Sequence, residues 1–363
     1  MCFDEVNFEL QPNFYYKETI SDKSDCFSNC NTFDYYLTKD NKLIIITPCI
    51  EPVYTNDGEN KEHEIYLIDI ETKIKINKLK GHKGRILNVR IFKNQKNKKE
   101  YLISADILNN IIVWNIENNF EKIFEKYFEY EPFAFIYSTL MIFDEKNTWI
   151  VASCIREKNK TLILDMVKNN NFIEITESEN LPVYCLCYWF NQMEEDEKDK
   201  HNIIQCGKNK ILITQFPSKK VYYMYQAEKK YIYNSGGLVF KNGERDLLAV
   251  SSSAGLILII DLILKNVVKK IEIENAHIFS FIKWNQKYLL LNNIRKSEII
   301  IIDMNNDFKI VGKNYIPEMQ MGFFMKKIRH PIYGESILIS GKDWKLNLFI
   351  IRGLRIIFED EEY

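Results

Sequence analysis

Histidine, cysteine and acidic side chains are the groups in this 363-residue chain that could move protons, attack an electrophile or hold a metal, and their spacing favours none of these. His63, His82, His201, His277 and His330 are spread over five separate segments. No His-Glu-x-x-His, Cys-x-x-Cys or nucleophile elbow occurs. Cys26 with Cys30, and Cys185 with Cys187, come nearest to a zinc ligand pair. In an extended strand, however, a Cys-x-Cys unit sends both side chains to one face, with Tyr184, Leu186 and Tyr188 on the other. That arrangement suits core packing better than ligation. Gly236-Gly237, Gly255 and Gly353 lack phosphate-loop spacing and read as turns. The sequence therefore assigns no catalytic residue, no cofactor-binding residue and no metal ligand.

Three long polar loops and one aromatic stretch could carry specificity instead. Residues 50–63 (IEPVYTNDGENKEH) separate two apolar runs, KNQKNKKE at 93–100 is basic, and MEEDEKDKH at 193–201 is acidic. Charge runs of this kind are usually solvated loops, and where one docks a partner it adds selectivity and association rate more than affinity. The stretch KVYYMYQAEKKYIY at 220–233 interleaves tyrosine with lysine, as single-strand nucleic-acid platforms do. It reads more simply as an outer strand and the passage to the next inner one, with exposed tyrosine equally suited to a protein contact.

The elements that must position these residues announce themselves by repetition. EIYLIDI at 64–70, NIIVWNI at 110–116, KTLILDM at 160–166, GLILIIDL at 255–262 and SEIIIIDM at 297–304 are one phrase: an apolar run closing on an acidic or amide residue. NKILITQF at 209–216 and WKLNLFII at 344–351 are weaker copies. Asp69, Asn115, Asp165, Asp261 and Asp303 mark the ends at intervals of 46, 50, 96 and 42, the third being two periods blurred at Gln215. A unit this small cannot bury its own apolar face and must stack on copies of itself. Within a unit the strand signals keep a fixed order. In the second, Ile86–Phe92, Tyr101–Ala105, Ile111–Ile116 and Phe120–Tyr127 grade from apolar to polar, as four strands of a propeller blade would. Seven such units cover nearly the whole length, and no helical period competes with them. The expectation is an all-β, seven-bladed β-propeller of four-stranded antiparallel blades spanning residues 21–363 as a single unit, preceded by an arm at 1–20. Both NFELQPNFYY in that arm and LRIIFED at 354–360 have the character of an outer strand for the last blade, and the sequence leaves open which of them lies in the sheet.

Composition narrows the partners. Forty-nine Lys and Arg against 50 Asp and Glu leave a formal charge of −1, so nothing global attracts nucleic acid or an anionic membrane. The eight cysteines, at 2, 26, 30, 49, 154, 185, 187 and 206, lie mostly within apolar strands and read as small core hydrophobes of a reducing compartment. MCFDEVNFEL has neither the basic nor the apolar region of a secretory signal, and the longest apolar runs fall far short of a bilayer span. A cytoplasmic protein that does not insert into membranes is expected.

The repeat resembles the WD-repeat family of β-propellers. Gly81-His82 matches that family's Gly-His, Ser104 its hydroxyl on the second strand, and Trp114-Asn115 its Trp-Asp. The family joins His, Ser or Thr, Trp and a turn Asp in a hydrogen-bonded tetrad. Leu108 stands at the Asp position, so the resemblance implies a tetrad missing its fourth member. ISGKDWKLNLF supplies a complementary fragment, with Ser340 and Asp343 at tetrad positions but Phe349 for Trp. Ile68, Leu164, Ile260 and Ile302 replace the Trp elsewhere, and the retained aspartates are expected to cap strand ends. The family's usual role implies a non-catalytic protein-interaction scaffold or structural subunit of a larger assembly, with other proteins as partners. A substrate-receptor or regulatory subunit is the alternative; an enzyme would need histidine or acidic residues converging at the channel mouth.

Overall fold

A computed structural model describes residues 13–19, 32–49, 53–54, 61–128, 135–143, 147–155, 161–166, 172–175, 183–207, 209–228, 230–231, 233, 236–316, 324–340 and 346–352. Its strands form seven antiparallel sheets, six of four strands and one of five. β1 (Asn13–Thr19) precedes the first sheet in sequence. That sheet contains β2 (Asp34–Leu37), β3 (Leu43–Pro48), the short β4 (Val53–Tyr54), β5 (Lys61–Asp69) and β6 (Lys75–His82). The second holds β7 (Ile86–Lys93), β8 (Glu100–Asp106), β9 (Asn110–Asn115) and β10 (Glu121–Tyr127). The third holds β11 (Phe135–Phe143), β12 (Thr148–Ile155), β13 (Thr161–Asp165) and β14 (Phe172–Ile175); the fourth, β15 (Val183–Phe190), β16 (His201–Gly207), β17 (Lys210–Phe216) and β18 (Val221–Gln226). The fifth holds β19 (Gly237–Asn242), β20 (Arg245–Ser251), β21 (Leu256–Asp261) and β22 (Asn266–Glu272); the sixth, β23 (Ile278–Lys283), β24 (Tyr288–Asn293), β25 (Glu298–Asp303) and β26 (Lys309–Tyr315). The last combines β27 (Met325–His330), β28 (Gly334–Ser340) and β29 (Leu346–Arg352) with β1, in the order β1-β29-β28-β27.

Burial explains why the sequence reads as it does. The third strands, NIIVWN, LILIID and EIIIID, are almost wholly buried because both faces of each sheet meet a neighbouring sheet, so they run apolar without alternating. The fourth strands EKIFEKY and NVVKKIE are largely exposed and mix Lys and Glu with single apolar anchors such as Phe124 and Ile271. Charge on these outer edges discourages pairing with other chains.

Cohesion between sheets comes from apolar clusters that each join consecutive units. Ile44, Ile46 and Leu67 of the first sheet pack on Val89, Ile112 and Trp114 of the second. Comparable clusters follow between the second and third, third and fourth, fourth and fifth, fifth and sixth, and sixth and seventh. Phe33, Leu43, Ile45 and Ile70 then meet Ile328 and Leu338, which brings the last sheet back onto the first. Removal of apolar surface, at roughly 25 cal/mol per Å², is the main force holding the sheets together.

The question of the outer strand in the last sheet is answered at residues 13–19. β1 pairs antiparallel with β29, from Asn13 opposite Arg352 to Thr19 opposite Asn347. LRIIFED lies outside the described residues.

Candidate functional site

Antiparallel order sends the turns between first and second strands, and between third and fourth, to one face; the other turns emerge on the opposite face. His82 ends β6 and Gly81 before it takes a φ of 141°, a conformation that glycine adopts freely. That turn carries the His82 ring into the second sheet. Its Nδ1 lies 2.8 Å from Asp106 Oδ2 and its Nε2 lies 2.7 Å from Ser104 Oγ. Trp114 Nε1 donates to the same Oγ at 2.9 Å.

The tetrad is therefore complete, which corrects the expectation that Leu108 leaves it one member short. Asp106, two residues earlier, fills the role. Its Oδ1 also accepts from the backbone N–H of Leu108 and of Asn110, at 2.9 and 3.0 Å, so one carboxylate holds both the turn and the histidine. With that turn already capped, residue 108 needs no acid. Leu108 instead packs against Gly84 and stands half out of the surface. The sequence signal was present in Asp106, a strand-end aspartate before a short turn, of the same kind as Asp69 and Asp261.

Proton accounting fixes the direction of the chain. An ionised Asp106 only accepts, so Nδ1 of His82 carries the hydrogen and Nε2 accepts from the Ser104 hydroxyl, which in turn accepts from Trp114. Serine, histidine and aspartate in this order are the groups of a hydrolase triad. Here Ser104, Asp106 and His82 are 0, 0 and 1% exposed, and the nucleophile's lone pair is already occupied by an indole N–H. No substrate carbonyl can approach such an oxygen, so the network ties the blade together and does no bond chemistry.

The other histidines are not brought to it, apart from His63. That residue faces His82 across β5 and β6. Burial, with the neighbouring His82 and Arg85 opposing the pull of Asp106, lowers its pKa. His277 sits on the same face beside Phe279, with its pKa lowered by burial and by Arg295. On the opposite face, His201 Nδ1 meets the Tyr188 hydroxyl at 2.8 Å, while His330 stacks on Tyr333 and accepts from Ile332 N. Asp343 lies outside the described residues, so the second family-like fragment is seen only at Ser340, whose Oγ accepts from Phe324 N at 3.0 Å.

Asp69, Asp261 and Asp303, and the amide Asn115, cap the turns after their strands as expected. Asp69 Oδ1 accepts from Glu71 N and Thr72 N, Asp261 Oδ1 from Ile263 N and Leu264 N, Asp303 Oδ1 from Asn305 N, and Asn115 Oδ1 from Glu117 N. Asp34 was not foreseen. Its Oδ2 takes the Ile91 N–H of the second sheet at 2.9 Å and the Lys326 ammonium of the last at 3.1 Å, so one first-sheet carboxylate fastens three consecutive units.

The loops resolve in different ways. Residues 53–54 and 61–62 pair as a small hairpin that lengthens the first sheet on the His82 face. In the acidic loop, Glu194 accepts from Gln215, Glu197 pairs with Lys200, and Asp199 pairs with Lys220, so much of its charge is spent within the fourth sheet. In the basic loop, Asn94 and Asn97 hold a tight turn and Lys93 meets Glu100 at 3.4 Å. In the tyrosine stretch, Tyr222 lies under Lys265 and against Trp189, while Tyr231 and Tyr233 are core residues. Cys185 and Cys187 point together into the cluster between fourth and fifth sheets, joined by Cys206, while Leu186 points into the preceding one. Among the described residues no group of three or more His, Cys, Asp or Glu is placed to hold a metal ion, and no helix is long and apolar enough to cross a membrane.

Large apolar side chains left in solvent are unevenly placed. Leu37 and Phe190 at strand ends, and Met193, Leu264 and Ile332 in turns, all lie on the face opposite His82, with Met193 75%, Ile332 68% and Leu264 65% exposed. The His82 face shows Ile107 and Leu108 in one turn, with Tyr127 and Tyr315 at the ends of β10 and β26.

No protein-family model and no curated protein matches the chain. Its fold is similar to the crystal structure of the Myceliophteria thermophila Cps50 (Swd1) β-propeller domain, with a TM-score of 0.64 and 14% identity over 93% of this chain and 99% of that one. The likeness establishes a propeller-type arrangement and, at this identity, nothing narrower.

Proposed function

We propose that the chain is a WD-repeat-like propeller, closed by its seven blades into one unit, that serves as a non-catalytic scaffold or structural subunit for other proteins in the cytoplasm. One observation carries the reading: among the described residues, the one constellation with the groups of a catalytic triad is sealed in the blade and consumed by internal hydrogen bonds. The polar investment goes into rigidity, and what reaches solvent is contact surface.

The face bearing Leu37, Phe190, Met193, Leu264 and Ile332 is the docking face favoured by this reading. Those residues fall in two neighbouring pairs of blades, the last with the first and the fourth with the fifth. Exposed apolar anchors set in a polar rim are what protein interfaces use. Tagged chain recovered from its native cells at moderate salt should emerge with stoichiometric partners. The double variant Met193→Glu and Leu264→Glu should lose them with an unchanged melting temperature. Recovery of a monomer alone from the unaltered chain would refute the subunit reading.

A further inference from the structure

We propose that Cys185 and Cys206 are a peroxide-sensitive dithiol that closes to a disulfide, with Cys185 the attacking sulfur and a small hydroperoxide the oxidant. Cys185 lies on β15 directly opposite Cys206 on β16. Cα atoms of directly opposed residues in antiparallel strands are about 4.5 or 5.5 Å apart, within the span a disulfide bridges. Cys187 is also near, with its sulfur 3.7 Å from that of Cys185. Two residues along one strand nevertheless separate Cα atoms by about 6.4–6.8 Å, at the outer limit for a bridge. Cys206 is thus the resolving thiol and Cys187 a donor.

The environment of Cys185 suits a sulfur that bears charge. Gly237 N of the fifth sheet donates to its Sγ at 3.1 Å. A side chain at Gly237 would stand 2.8 Å from the Cys187 sulfur and 3.4 Å from that of Cys185, so the glycine makes the room in which the sulfurs gather. Hydrogen bonds from the Cys187 and Cys206 thiols, with the Arg90 charge and the Gly237 N–H, hold the Cys185 thiol below its ordinary range against burial. The same contacts, with burial, push Cys187 and Cys206 up, which keeps them as thiols. A lowered pKa, a neighbouring resolving thiol and access to the oxidant make a cysteine reactive; Cys185 keeps 7% of its surface exposed against 1% for Cys206, which makes it the sulfur a small hydroperoxide reaches first.

The steps balance. The Cys185 thiolate attacks one peroxide oxygen: an S–O bond forms, the O–O bond breaks, and the departing oxygen takes a proton as water, leaving a sulfenic acid. The Cys206 sulfur, giving up its proton, attacks Cys185: an S–S bond forms, the S–O bond breaks, and hydroxide leaves with that proton as a second water. Two thiols lose two electrons to one hydrogen peroxide.

The test uses the full reduced chain with hydrogen peroxide, followed by alkylation in denaturant and non-reducing peptide mapping. Cleavage after lysine places Cys185 and Cys187 between Lys168 and Lys198, and Cys206 between His201 and Lys208. The expected first product is the Cys185–Cys206 cross-link, forming about tenfold faster than any loss of the buried Cys49 thiol and reversed by dithiothreitol. In Cys206→Ser, dimedone should label Cys185. Oxidation of Cys49 ahead of Cys185, or a first cross-link to Cys187, overturns the proposal. Absence of dimedone adduct in a Cys206→Ser chain with native circular dichroism also overturns it. Should that variant fail to fold, the mapping of the unaltered chain decides.

Discussion

Asp106 does two things with one carboxylate, and the two can be separated. Asp106→Ala strands the His82 Nδ1–H and the Asn110 N–H in the interior, at about 1–3 kcal/mol for each buried donor left without an acceptor, and uncaps the Leu108 amide at the surface. Asp106→Asn keeps an acceptor for the turn and offers an amide N–H to the ring. The ring then changes tautomer, so that Nε2 donates to Ser104, whose hydroxyl can turn to the Ile112 carbonyl 3.4 Å away. Chemical denaturation should therefore rank Asn well above Ala, and 15N spectra of His82 should show the tautomer exchange. Trp114→Ala empties a buried aromatic site and should cost about 3–5 kcal/mol in the same measurement. His63 and His277 set a pH dependence of known sign. Their folded pKa values lie below the unfolded ones, so the unfolded chain takes up protons first as pH falls. Stability is unaffected well above the ordinary histidine range and declines as pH drops through it toward the folded values. Melting temperatures between pH 8 and 5 should show this slope, reduced in His63→Gln with His277→Gln. At this scale the sequence was legible where a side chain caps the turn that directly follows it, as at Asp69 and Asp261, and misleading where position stood in for geometry. The family resemblance put the acid at residue 108, whereas a carboxylate at 106 reaches the ring from the strand end.

Strands were legible because their two-faced burial leaves a signature no other element shares. β7, β8, β9 and β10 begin and end within one residue of the four runs read in the second unit, and the outer strand carries the predicted gain in charge. Contacts between blades were not legible, since they depend on which residues two sheets present to each other. Asp34 is the clearest case: DYYL reads as an ordinary inner strand, and its bonds to Ile91 and Lys326 span 57 and 292 residues. The third thiol is another, since Cys206 meets Cys185 only through strand pairing. Asp34→Ala should remove the acceptor of a buried amide and lower stability by roughly 1–3 kcal/mol. Hydrogen exchange should show the loss as faster opening of β2, β7 and β27 together, which a purely local defect in the first sheet would not produce.

Among the described residues, apolar clusters run from each sheet to the next and from the last to the first, so each sheet has a neighbour on both flanks. The fragile place is the last sheet, whose outer strand is borrowed from residues 13–19. Deleting those residues should bare the β29 edge, lower the melting temperature and cause concentration-dependent association, visible by light scattering after size exclusion. A peptide of residues 13–19 added in trans should restore the monomer. The borrowing also has a temporal side. During translation β1 leaves the ribosome about 330 residues before its mate β29, a delay of roughly 15–70 s at ordinary elongation rates. For that interval a strand with no place to lie is open to chaperones, fused tags and neighbouring nascent chains, and whatever grips it then decides whether the propeller is ever latched.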